Sequence, residues 1–241
     1  MTQIKICGIT NLEDAMVAVQ AGADMLGFIF YPPSPRYIIP ERASEIILVI
    51  RHASPVTRFV GVFVNASLEH VRAVMALAQL DFAQLHGDEL VEMVRTLNEP
   101  RRVSGNPLGL AAYKSLRLRN ADDTRTQIET YRDAVNGNTP TFLLDAYDAK
   151  QFGGTGKRAD WDIASEIART FPILLAGGLN AENVADAIRT VQPWGVDVSS
   201  GVERAPGLKD HARVDEFIRA VKSMSDDRTV RSAVVGQRSK G

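Results

Sequence analysis

The chain has 241 residues, 45% of them hydrophobic and 24% charged, enough for one large domain or two small ones with a filled core, which excludes disorder along the whole length. Its 28 Lys and Arg against 29 Asp and Glu leave a net charge of −1, so no global basic excess draws it to nucleic acid or an anionic membrane, and any anionic ligand must be held locally. The single cysteine, Cys7, excludes an intrachain disulfide and a thiolate metal cage. MTQIKICGIT does not read as an export signal and no run approaches about 18 apolar residues, so a cytoplasmic protein is expected.

Short β-rich apolar runs recur in chain order at 4–9 (IKICGI), 25–30 (MLGFIF), 58–64 (RFVGVFV), 82–86 (FAQLH), 113–118 (YKSLRL), 141–146 (TFLLDA), 173–178 (ILLAGG) and 195–200 (GVDVSS). Between them lie segments with helical spacing: Leu12, Ala15 and Val19 after the first run, then Ala43, Ile46, Ile47 and Ile50, then Leu68, Val71, Val74, Met75 and Ala78. Helix-start signals stand at Thr10 or Asn11 ahead of Glu13 and Asp14, at Ser67 ahead of Glu69, and at Asn180 ahead of Glu182. The strands are continuously apolar, as in a parallel sheet covered on both faces. Eight such strand–helix units predict one closed (β/α)₈ (TIM) barrel over residues 1–224, with an open doubly wound sheet as the alternative. EPRRVSGNPLGLAA (99–112) reads as a long connection before the fifth strand, and the polar stretch 225–241 as a frayed, disordered tail.

In such a barrel the chemistry sits where strands end, which directs attention to Cys7 with Gly8, Arg36, Asn65, His86 with Gly87, Arg117, Asp145, Gly177 with Gly178, and Ser199 with Ser200 and Gly201. Cys7, if flanked by N–H groups or a cation, could act as a thiolate proton acceptor; otherwise it is a small buried apolar residue. Asp145 closes an apolar run, a costly place for a carboxylate unless it is paired or used, and desolvation there suits a general acid. Arg36 lies in PPSPRY, whose prolines stiffen the loop and present a planar fork suited to a carboxylate. AGGLN (176–180) and SSGVE (199–203), after strands seven and eight, stand at the usual phosphate position of a barrel, where glycine lets backbone N–H groups approach an anion. GGTGK (153–157) is a third glycine-rich loop without P-loop spacing. His86 has no second His or carboxylate at metal spacing, so no metal site is expected. His52, His70 and His211 are assigned to helix surfaces, and Trp161 and Trp194 to packing.

The motifs KICGIT, LGFIFYPPSPR, VGVFVN, QLHGDE, LLD, GGTGK, LAGGL and GVDVSSGVE, in order from about residue 3 to residue 221, closely resemble the phosphoribosylanthranilate isomerases of tryptophan biosynthesis. The resemblance implies a barrel enzyme without cofactor or metal, acting on a small phosphosugar, as a monomer or homodimer. Its reaction would be the Amadori rearrangement of N-(5-phosphoribosyl)anthranilate to the 1-amino-1-deoxyribulose 5-phosphate. Carried over residue by residue, it makes Asp145 the general acid and Cys7 the general base. Arg36 would hold the anthranilate carboxylate, and Gly177, Gly178, Ser199, Ser200 and Gly201 the phosphate, with His86 and Asp197 in supporting roles. Departures are small: RADW follows GGTGK where an aromatic residue before DW is commoner, the 99–112 connection is long, and the tail is extra. The sister isomerase of histidine biosynthesis places an aspartate on its first strand, where this chain has Cys7. A non-catalytic phosphosugar-binding barrel would keep the glycine loops without needing both Cys7 and Asp145.

Overall fold

The computed structural model describes residues 1–99, 102–103, 106–107, 111–118, 120–135, 137, 139–146 and 161–238. Eight parallel strands close into a barrel: β1 (Gln3–Cys7), β2 (Met25–Ile29), β3 (Arg58–Phe63), β4 (Phe82–Leu85), β5 (Ala111–Leu118), β6 (Phe142–Ala146), β7 (Ile173–Leu175) and β8 (Gly195–Val198). Each pairs with its sequence neighbours, and β8 returns to β1 with Gln3 opposite Gly195 and Lys5 opposite Asp197. The open-sheet alternative is thereby excluded. Helices α1 (Leu12–Ala21), α2 (Pro40–Ala53), α3 (Leu68–Leu77), α4 (Val91–Asn98), α5 (Ala121–Tyr131), α6 (Trp161–Ala168), α7 (Val184–Val191) and α8 (His211–Arg238) follow the strands in turn.

Local chemistry explains most of these boundaries. Asn11 caps α1 by accepting from Asp14 N at 2.9 Å, and Ser67 caps α3 by accepting from His70 N at 3.1 Å. Gly22 ends α1 in the left-handed region at φ 105°, its N–H reaching the Ala18 and Val19 carbonyls. Asn180 instead folds a turn, its side chain accepting from Glu182 N and Asn183 N, and α7 begins only at Val184. The fifth strand starts at Ala111, two residues before the apolar run, after a two-residue pairing of Arg102–Val103 with Asn106–Pro107 inside the expected long connection. α8 continues as helix to Arg238, into the segment the sequence assigns to a tail.

The core has two parts. The larger lies between barrel and helices, where Ile4, Ile6, Leu26, Phe28 and Phe59 meet Ala15, Ala43, Ile46 and Phe217. The smaller fills the barrel interior with Met25, Val60, Tyr113, Leu143, Leu174 and Ala176. Because side chains alternate along a strand, β1 sends Ile4 and Ile6 outward and Lys5 and Cys7 into the lumen. The same alternation puts Gln84 and His86 on one inner row.

Candidate active site

At the end of the barrel where the strands finish, Cys7, His86, Asp145 and Asp197 are brought together, all less than 10% exposed. His86 Nε2 stands 3.5 Å from Asp145 Oδ2. Its orientation is set from below. Lys5 has only N–H donors, and its Nζ donates to Gln84 Oε1 at 2.7 Å, where the Tyr113 hydroxyl also donates at 2.9 Å. Gln84 must therefore turn its Nε2 toward His86 Nδ1, 2.9 Å away. That leaves the His86 proton on Nε2, which lies near Asp145 without hydrogen-bonding it.

Beneath the mouth the charges are fully buried. Lys5 is 0% exposed and sits 3.2 Å from Asp197 Oδ1. Burial opposes its charge, but Asp197 and Cys7 beside it more than offset this and hold the ammonium protonated. Burial pushes the Cys7 thiol up, with Lys5 and Lys209 pulling it down and Asp197 adding to the rise. Burial likewise raises Asp197, against the pull of Lys5.

Arg36 occupies the loop between β2 and α2, a half-buried position fixed by its N–H on Ser34 Oγ. Its Nε and Nη2 form a two-point contact with Glu203, at 2.9 Å to Oε1 and 2.7 Å to Oε2. Glu203 is also gripped by Lys209 Nζ at 3.0 Å, and the same Nζ donates to the Cys7 carbonyl at 2.6 Å and the Ser199 carbonyl at 3.3 Å. Although burial works against its ionisation, Arg36 and Lys209 hold the Glu203 carboxyl below the usual carboxylate range. The short pairing of Glu203–Ala205 with Leu208–Lys209 thus ties the Arg36 loop to the ends of β1 and β8.

Gly177 and Gly178 follow β7 with φ of 92° and 67°, and Ser200–Val202 forms a 3-10 turn after β8. Among the described residues the N–H groups of Gly177, Gly178 and Gly201 donate to no protein acceptor. A Cβ on Gly201 would collide with the Leu179 carbonyl oxygen, so glycine there lets the two loops pack on each other. Ser199 Oγ, also without a protein partner, faces Gly8.

Other expected positions lie outside this cluster. Asn65, at φ 51°, accepts from Asp88 N through its side chain and serves the loop. Arg117 points to Asp88 at 3.3 Å. GGTGK lies outside the described residues. His52 and His70 are exposed, but His211 is only half-exposed and bonds Asp14 Oδ1 at 2.9 Å, joining α8 to α1. Lys5, Gln84, Tyr113, Glu203 and Lys209 join the site although strand-end position does not point to them. Period-two spacing back from Cys7 and His86 would have found Lys5 and Gln84; nothing in the sequence marks Lys209. No cluster of three metal-ligating side chains and no helix long and apolar enough to cross a membrane occurs among the described residues.

The family model described as N-(5'phosphoribosyl)anthranilate (PRA) isomerase matches residues 4–220. An N-(5'-phosphoribosyl)anthranilate isomerase of Geotalea uraniireducens is 48% identical over 224 residues, 93% of this chain and all of the relative. The crystal structure of phosphoribosyl anthranilate isomerase from Thermotoga maritima superposes with a TM-score of 0.80 at 40% identity, covering 92% of this chain and all of that one. A structure of such an isomerase in complex with reduced 1-(o-carboxyphenylamino)-1-deoxyribulose 5-phosphate gives 0.77 at 39%, with the same coverage. With its closed barrel and continuous match, this chain belongs to the N-(5'-phosphoribosyl)anthranilate isomerase family and is an isomerase of tryptophan biosynthesis.

Proposed function

We propose that the chain carries out the rearrangement with Asp145 as general acid and Cys7 as general base. Asp145 gives its proton to the furanose ring oxygen, the C1′–O bond breaks, and the anilino nitrogen supplies the electron pair that makes the iminium. Cys7 thiolate then removes the proton from C2′, which the iminium has made acidic, and the electrons of that bond form an enolamine that tautomerises to the ketone. After one turnover the thiol holds a proton and Asp145 lacks one, so a proton must return between them. The observation that carries the reading is the placement of both groups on the inner rim of one mouth, with His86 Nε2 3.5 Å from the carboxylate that Asp145 becomes.

Arg36 takes the anthranilate carboxylate. Glu203 occupies its Nε–Nη2 edge, which leaves the Nη1–Nη2 edge of the fork for a ligand. The phosphate is held by the unpaired N–H groups after β7 and β8 together with Ser199 and Ser200, and Asp197 plays a supporting part by pairing with Lys5 beneath the mouth. The protein acts in the cytoplasm, without metal or cofactor, as a monomer or homodimer.

The test is turnover of N-(5-phosphoribosyl)anthranilate in the presence of a chelator. Wild type keeps its full rate, while Cys7→Ser and Asp145→Asn each lose roughly 10² or more in kcat with little change in substrate binding. Near-wild-type turnover in either variant removes that residue from its role.

A further inference from the structure

A lysine with no exposure, in the middle of the first strand, is expensive to bury. Its Nζ has three N–H groups. It donates to Gln84 Oε1 at 2.7 Å, pairs as an ion with Asp197 Oδ1 at 3.2 Å, and shares the lumen face of β1 with the Cys7 thiol. The room for both side chains comes from Gly27, directly opposite Cys7 in the sheet: a Cβ there would lie 2.7 Å from Cys7 Sγ and 3.1 Å from Lys5 Cε. Lys209 is the other ammonium near the cysteine, but its three N–H groups go to the carbonyls of Cys7 and Ser199 and to Glu203. It grips the backbone and leaves the thiol to Lys5.

We infer that Lys5 is the positioning residue that makes Cys7 competent as a base, serving as the buried counter-ion of its thiolate, with Asp197 as the opposing charge that limits the effect. The inference rests on the reading of Cys7 as the base. The groups that face the thiol are Lys5 on its own strand, Asp197 on β8, Tyr113 on β5 and Lys209 from the hairpin after β8, while His86 and Asp145 act on Asp197 across the lumen. Asp197 and Cys7 hold the Lys5 ammonium protonated against burial, so it faces the thiolate as a charge and supplies no proton of its own.

Because Cys7 is the chain's sole cysteine, thiolate ultraviolet absorbance against pH, with Cys7→Ser as the blank, follows this one group. Replacing Lys5 by Met raises the titration midpoint by roughly one unit or more, so that thiolate at a fixed lower pH falls roughly tenfold or more. Turnover falls by the same factor and recovers as pH is raised, and Lys5→Arg restores part of it. Asp197→Asn moves the midpoint the opposite way, downward. A purely structural role for the pair predicts no such opposite shifts. An unchanged midpoint in Lys5→Met, or shifts of the same sign in the two variants, overturns the inference, and if Lys5→Met fails to fold, a midpoint in Asp197→Asn that stays or rises does so alone. Failure of the base assignment itself would look different: Cys7→Ser would retain turnover while the midpoints still shifted.

Discussion

Arg36 shows how one side chain can be both a structural and a recognition element. The prolines around it limit the entropy lost in fixing the loop, and Glu203 then fixes the guanidinium plane through two of its donors. Loss of a charge-assisted pair in a partly desolvated cleft costs about 1.5 to 3 kcal/mol, or roughly 10- to 150-fold in kcat/KM for Arg36→Ala. Arg36→Lys recovers only part, since an ammonium cannot meet both carboxylate oxygens in one plane. The comparison that isolates the carboxylate uses a substrate with aniline in place of anthranilate, on which wild type and Arg36→Ala perform alike. An equal loss on both substrates would assign Arg36 to holding Glu203 and the loop.

Among the described residues, two kinds of loop stand at the mouth. Those after β7 and β8 leave N–H groups unpaired, whereas those after β3 and β4 are pinned by a buried pair. For the first kind, inorganic phosphate should raise the Tm of the wild type, and Gly178→Val, which forces a side chain onto a backbone at φ 67°, should abolish that rise. Stabilisation that survives unchanged would move the phosphate elsewhere, with GGTGK the next candidate. Gly201→Val is the poorer probe, because its Cβ strikes the Leu179 carbonyl and the loops would separate with or without a ligand.

In the second kind, Glu89 accepts from Asn65 N at 2.9 Å, Gly87 N at 3.0 Å and Lys114 Nζ at 2.8 Å. Burial favours its protonation, but Lys114 and these N–H groups more than offset it and lower its pKa from 4.5. A lowered folded-state value means stability that is complete above the ordinary carboxyl range and is lost as pH falls below about 4.5 through the folded value. Glu89→Gln, which leaves Lys114 buried without its partner, should cost roughly 3 to 5 kcal/mol at neutral pH and flatten the acid limb of Tm against pH. An acid limb identical to wild type would remove Glu89 from that role.

Across the whole molecule, the barrel is legible because eight apolar strand runs alternate with helical spacing, and several are bounded by turn and cap chemistry, as Asn11, Gly22 and Ser67 illustrate. The site was legible wherever a polar residue ends an apolar strand, which is how Cys7, His86 and Asp145 stand out. What stayed hidden depends on closure: Lys5 meets Asp197 only because β8 returns to β1, and Lys209 reaches Cys7 over 202 positions of sequence. Gln84 has no chemistry of its own and acquires its role by standing between Lys5 and His86. In sequence Arg36 stands as a lone fork, and its partner Glu203 is 167 positions away in SSGVE, where glycine and serines are the visible signal.

The central claim is the division of labour between acid and base, and deuterium at C2′ of the substrate reads it directly. If Cys7 removes that hydrogen and Asp145 opens the ring, the isotope effect on kcat grows in Cys7→Ser, where C–H cleavage becomes limiting. It falls toward one in Asp145→Asn, where ring opening limits. An isotope effect that grows in Asp145→Asn and vanishes in Cys7→Ser would reverse the two assignments and contradict the account.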